Sequence, residues 1–203
     1  MDTTRTPQPL EPHEVAGMCE AVADSGTITG VRTAALIAFL YRSGLRISEA
    51  LAVTPNDLDE RPGGVYVHVR AGKGGRSAYC RLLADSSGFI ALWMGMRAGL
   101  GVGKTDPLFC TVSRGDKQAP GSALDRSDQL KALKRAGRLA GVSKRVTCHN
   151  MRHSHATLLY AVLKQPTAVV QDQLRHVRPQ TTDLYLKRLG CSHTLDQLDG
   201  LAA

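Results

Sequence analysis

Aromatic residues are scarce in this chain. They make up 4% of its 203 residues against 42% hydrophobic overall, so its core must be built chiefly from aliphatic side chains. Long apolar runs are missing too. The longest, Ala34 to Tyr41, falls far short of the ~20 residues that a membrane-spanning helix needs. The segment from Met1 to Pro12 is polar and contains Pro7, Pro9 and Pro12, without the apolar stretch of a secretory signal. The reading is a soluble, cytoplasmic chain. No Cys-x-x-Cys pair occurs among Cys19, Cys80, Cys110, Cys148 and Cys191, which argues against a disulfide framework or a zinc ribbon and for reduced, mostly buried thiols. Acidic residues are also in short supply. The 18 Asp and Glu face 26 Lys and Arg, and the resulting charge of +8 suits a polyanionic partner, since each neutralised phosphate releases a condensed counterion.

What is present divides into helical and strand-like stretches. The length fits one domain. Residues 1–10 read as a flexible lead or linker remnant. A helix is expected from Glu11-Pro12, where proline and early acidic charge suit a helix start. Further helices are expected over Gly30–Arg42, stopped by Ser43-Gly44, and over Arg46–Val53. Val65–Val69 alternates and is rich in β-formers, Ala71–Gly75 is a glycine-rich turn, and Ala78–Leu83 can return as a paired strand, which predicts a β-hairpin. Helices are expected again over Ser86–Ala98, Arg126–Ala140, His149–Leu163, Thr167–Leu174 and Pro179–Leu189, with Val112–Ala123 a loop. The fold class is mainly α with a small antiparallel β-sheet (α+β).

Four local patterns carry candidate chemistry. In Ser43-Gly44-Leu45-Arg46-Ile47-Ser48-Glu49, Arg46 falls at a helix start, where a guanidinium and backbone N–H groups can together hold an anion. Glu49 shares its helical face and can support it, although in isolation the two read as an ordinary surface ion pair. Lys73 sits among glycines at the hairpin tip, where an ammonium can reach a leaving oxygen or simply aid solubility. In His149-Asn150-Met151-Arg152-His153-Ser154-His155, positions 149, 152 and 153 share a face. His149 and His153 have the helical spacing of zinc ligands, but Arg152 would set a fixed positive charge beside the metal. His153 and His155 also suit core-facing roles. Last, Arg175-His176-Val177-Arg178-Pro179 leads to Tyr185 among leucines, where a tyrosine alone would read as structural.

Taken together and in order, the SGLRISE, GKGG, HNMRHSHAT and LRH-to-Tyr185 blocks resemble the tyrosine recombinase, or phage-integrase, family over nearly the whole chain. The resemblance implies a catalytic domain of that type over residues 11–190, with 191–203 a C-terminal tail that is exchanged between protomers or packs in cis. It implies that Tyr185 attacks a DNA phosphate and forms a 3′-phosphotyrosyl link. Arg46 and Arg152 would hold the non-bridging oxygens, and His176 would hydrogen-bond to the same phosphate. Lys73 would protonate the leaving 5′-oxygen, while His149 would assist proton movement at the tyrosine. The ester keeps the energy of the cut bond, so no nucleotide cofactor and no metal is implied. The implied partners are double-stranded DNA and three further copies of the chain, with no membrane and no small-molecule substrate.

Two departures stand out. Arg175 replaces the glycine usual before the third-block histidine, where its side chain would crowd the phosphate pocket or add a contact. Leu163-Lys164-Gln165-Pro166 lacks an expected glycine turn. The family's separate N-terminal clamp domain has no room in this length, which implies a truncated piece or a minimal protein. Alternatives to recombination are DNA relaxation of the type IB topoisomerase kind and a catalytically idle DNA-binding relative.

Overall fold

The computed structural model describes residues 8–70, 77–112 and 119–175. Its centre is a helix that is apolar nearly all round. Helix α2 (Ile28–Ser43) buries Ala34 to Tyr41 without a break, which accounts for this apolar run in the sequence. Its start is fixed by Thr27, whose hydroxyl accepts the Gly30 N–H at 3.1 Å. Around it lie α1 (Pro12–Ala23), α3 (Ile47–Ala52), α4 (Phe89–Ala98), α5 (Arg126–Leu139) and α6 (Cys148–Thr157). Among the described residues no helix is long and apolar enough to cross a membrane.

The sheet has three antiparallel strands in the order β1 (Leu58–Arg61), β2 (Gly64–Val69) and β3 (Ala78–Leu82). Val67 stands opposite both Leu58 and Cys80, and Val67, Val69 and Cys80 are buried. The hairpin of β2 and β3 matches expectation. Strand β1 does not, because Leu-Asp-Glu-Arg has neither alternation nor β-branched residues and is recruited by pairing with β2. The glycine-rich tip with Lys73 lies outside the described residues.

Two helix boundaries moved for identifiable reasons. The helix expected from Ser86 starts at Phe89, because Asp85 takes the N–H groups of Ser87 and Ile90 while Gly88 is left-handed at φ 71°. The helix expected to run to Leu163 stays α only to Thr157 and widens into a π turn at Leu158–Val162, closed by the Leu163 N–H on the Leu158 carbonyl. Lys164 then takes φ 53°, so the turn expected to want glycine is indeed left-handed but is filled by lysine. Helix α7 (Thr167–Leu174) follows and packs on the π turn and β3, with a small second core of Ala156, Leu159, Val170 and Leu174. The helix expected at Pro179–Leu189 lies outside the described residues.

Residues 8–10, counted in the expected flexible lead, dock on the domain. Leu10 is buried and its N–H donates to the Ser154 hydroxyl at 2.7 Å, while the Gln8 carbonyl accepts from Asn150 at 3.0 Å. Across the expected Val112–Ala123 loop, Cys110, two residues before it, pairs with Ala123 at its end in an antiparallel backbone bridge.

Candidate active site

The turn that ends α2 builds the first half of the site. Gly44 has φ 65° and its N–H closes on the Leu40 carbonyl at 3.0 Å. A Cβ at Gly44 would stand 2.4 Å from Cδ2 of His155, so both the backbone and the space demand glycine here. The turn sends Leu45 into the core and leaves Arg46 as the N-cap of α3. Glu49 receives the Arg46 N–H at 2.8 Å and its Nη1 at 3.0 Å. The Arg46 side chain is 49% exposed and that of Glu49 only 11%, so a largely covered carboxylate holds a cation at the rim.

Helix α6 builds the second half. Thr147 caps it by accepting the Asn150 N–H at 3.0 Å, which sets His149 and Arg152 on its first turns. Arg152 is buried. Its Nη1 donates to the Gly44 carbonyl at 2.6 Å and its Nη2 to the Leu174 carbonyl, so one guanidinium joins the end of α2 to the end of α7. His149 is exposed, with its ring edge-to-face against His153 at 4.4 Å between centroids. Its pKa is lowered, first by partial desolvation and then by the charges of Arg152 and Arg46. Both cations thus act on one imidazole, which is neutral near pH 7 and able to accept a proton. Among the described residues no three His, Cys, Asp or Glu side chains converge as a metal site.

Arg175 ends α7 in the left-handed region, at φ 53° and ψ 45°. Its side chain reaches α3, where Nη2 lies 2.6 Å from Glu49 Oε2. Burial alone would raise the Glu49 pKa. The Arg175 charge, with hydrogen bonds from the Arg46 N–H and both guanidinium groups, outweighs it and holds the carboxyl below the ordinary range. Cys80 lies beneath this corner, and burial pushes its thiol up to about 11.

Sequence reasoning missed Gln173. Its amide pairs with the free edge of β3, accepting the Arg81 N–H at 2.9 Å and donating to the Arg81 carbonyl at 2.7 Å, and so docks α7 on the sheet. It also approaches Nε2 of His155 at 3.3 Å, while His155 Nδ1 donates to the Tyr41 carbonyl at 2.7 Å. His155 is therefore a neutral, fully buried hub, with its pKa lowered to about 4 mainly by desolvation. A glutamine before a candidate site turn carries no pattern that reveals such a role. The core-facing reading of His155 was available from its place on α6.

The structure thus gathers Arg46, His149 and Arg152, with Glu49 and Arg175 beside them. Lys73, His176 and Tyr185 lie outside the described residues.

Comparison with known proteins gives the chain's relatives. The chain is 30% identical to the tyrosine recombinase XerD of Corynebacterium glutamicum over 182 residues, 88% of this chain and 56% of that protein. It is 34% identical to the type 1 fimbriae regulatory protein FimE of Escherichia coli K12 over 164 residues, 80% of this chain and 77% of FimE. Among solved structures it resembles the XerH site-specific recombinase bound to a palindromic difH substrate in a post-cleavage complex. That match has a TM-score of 0.72 and 26% identity, over 92% of this chain and 52% of XerH. The chain spans little more than half the length of XerD and XerH. Residues 8–189 match the model of the phage integrase family, about nine-tenths of the chain's length, and the chain belongs to that family.

Proposed function

We propose that this chain is the catalytic domain of a site-specific DNA recombinase, with Tyr185 as nucleophile. The observation that carries the reading is the convergence of Arg46, Arg152 and a neutral His149 in a chain of this family. In the proposed reaction the Tyr185 hydroxyl attacks a DNA phosphorus, its proton passes to His149, and the bond from phosphorus to the 5′-oxygen breaks. Lys73 delivers a proton to that oxygen. Arg46, Arg152 and His176 stabilise the charge on the non-bridging oxygens. Religation reverses the step: a 5′-hydroxyl from another strand attacks the phosphotyrosyl ester and the tyrosine leaves.

Exchange between two duplexes breaks four strands with one tyrosine each, so the reading includes four copies on DNA. It places the work in the cytoplasm, assigns residues 11–190 to the catalytic domain and gives 191–203 to a tail that is exchanged with a neighbouring copy or packs in cis. XerH, bound to its difH substrate, supports DNA as the partner.

Covalent trapping tests the proposal. The protein is incubated with fragmented genomic DNA, stopped with detergent, and only attached DNA is recovered and sequenced. Adducts with the native chain and none with Tyr185→Phe are expected, the retained sequences revealing the target. Adducts that persist with phenylalanine would assign the chemistry to another residue.

A further inference from the structure

Arg175 sits where the backbone favours glycine. At φ 53° and ψ 45° it occupies the left-handed region, which carries a steric penalty for any residue with a Cβ. Its side chain reaches α3, where it is only 13% exposed and its Nη2 meets Glu49 Oε2 at 2.6 Å. That same oxygen accepts the Arg46 N–H at 2.8 Å, and Oε1 accepts Arg46 Nη1 at 3.0 Å. One carboxylate thus joins two arginines from different elements. The preceding carbonyl, that of Leu174, receives Arg152. The Leu174-Arg175 turn is therefore gripped twice, on its main chain by one candidate phosphate ligand and on its side chain by the carboxylate that holds the other.

We infer that Arg175 is a positioning residue for DNA cleavage, holding Glu49 through the oxygen that also accepts the Arg46 N–H and so fixing Arg46 at the rim. The inference rests on the recombinase reading. With Arg46 alone, Glu49 would form a pair three residues apart at the start of a six-residue helix, and such a pair changes rotamers readily. The second guanidinium, largely shielded from water, removes that freedom. It also keeps the corner positive. Arg46 and Arg175 share the Glu49 carboxylate, and two guanidinium groups on one carboxylate still attract a phosphate.

The test uses Arg175→Gln, Arg175→Lys, Arg175→Gly, Glu49→Gln and the double variant Arg175→Gln/Glu49→Gln. Glycine relieves the left-handed backbone, so it separates loss of the side chain from loss of folding. The first readout needs no DNA. Amide hydrogen exchange at the Arg46 N–H is expected to quicken in Arg175→Gln and Arg175→Gly, and unchanged exchange would overturn the inference. The second is the rate of adduct formation on a nicked duplex bearing the sequence recovered by trapping. At saturating DNA the glutamine and glycine variants should be slower by about tenfold to a hundredfold, with half-saturating DNA little changed. Lysine should recover most of the rate. The double variant should be no slower than Glu49→Gln, because both changes remove one contact. Native-like rates in Arg175→Gln and Arg175→Gly, or losses that multiply in the double variant, would refute the role of Arg175 alone. Absence of adducts with the native chain would refute the recombinase reading, and the positioning role with it.

Discussion

Arg46 and Arg152 carry the same guanidinium group, and the fold treats the two in opposite ways. Arg46 stands on the N-cap of a short helix with 49% of its side chain exposed, held by Glu49 beside it. Arg152 is 3% exposed and spends two donors on the carbonyls of Gly44 and Leu174. An exposed pair such as the first contributes about 0–1 kcal/mol. A buried cation whose departure strands two buried carbonyls contributes several times more. One arginine therefore stands at the rim with little part in holding the fold. The other is a fastening for the turns that present it.

The largest effect expected from this contrast is on folding. Arg152→Met should lower stability by roughly 3–5 kcal/mol in urea denaturation, because two buried carbonyls lose their donors. Arg152→Lys should recover little, since an ammonium lacks the planar fork that reaches both carbonyls. A loss below about 1 kcal/mol in the methionine variant would erase the distinction between the two arginines.

The second effect is on pH. His155 lies in the buried half of the contrast, against Gly44, and its folded pKa near 4 is below the ordinary 6.5. The unfolded chain therefore binds more protons between these values, so stability is full above about pH 6.5 and falls as pH drops toward 4. The slope approaches about 1.4 kcal/mol per pH unit, roughly 3 kcal/mol in all. The lowered carboxyls of Glu14 and Glu49 contribute a further loss only below their ordinary value of 4.5. His155→Gln should flatten the window above 4.5, whatever its overall stability. A slope that survives the substitution would assign the effect to another group, the lowered His149 first.

Gly44→Ala is expected to cost about 2 kcal/mol or more, by forcing a Cβ onto the His155 ring at φ 65°. Thermal unfolding measures it. Near-native stability would show that the turn can move away from His155, and that Arg152 does not fix it.

How far the sequence foretold this division depends on the residue. The stop at Ser43-Gly44, the placing of Arg46 at a helix start and the hairpin of β2 and β3 follow from glycine, capping and alternation, which are local properties. The α7 bounds, Thr167–Leu174, were legible for the same reason. Burial of Arg152 was not, because it depends on two carbonyls that are distant in the chain and adjacent only after folding. Strand β1 was invisible since its residues take strand form through their neighbour. Arg175 and Lys164 show a subtler limit. The places where glycine was expected do adopt left-handed backbone, yet nothing local to Arg175 tells that its side chain crosses to Glu49. Residue type marked the candidate chemistry, and three-dimensional proximity sorted it into rim and fastening.

The smallest effect on folding should accompany the largest effect on chemistry. Arg46→Ala removes an exposed side chain and one ion pair, leaves the Arg46 N–H on Glu49 in place, and should change stability by less than about 1 kcal/mol. Covalent trapping with the same protein should nevertheless fall by about a hundredfold or more, because a donor aimed at developing phosphate charge is lost. Set beside Arg152→Met, this variant asks whether stability and cleavage separate. If Arg46→Ala unfolds the chain as Arg152→Met does, the rim arginine is also a fastening and the contrast between the two collapses. If it folds normally and still forms adducts at the native rate, the phosphate is held without Arg46 and the rim has been assigned to the wrong cation.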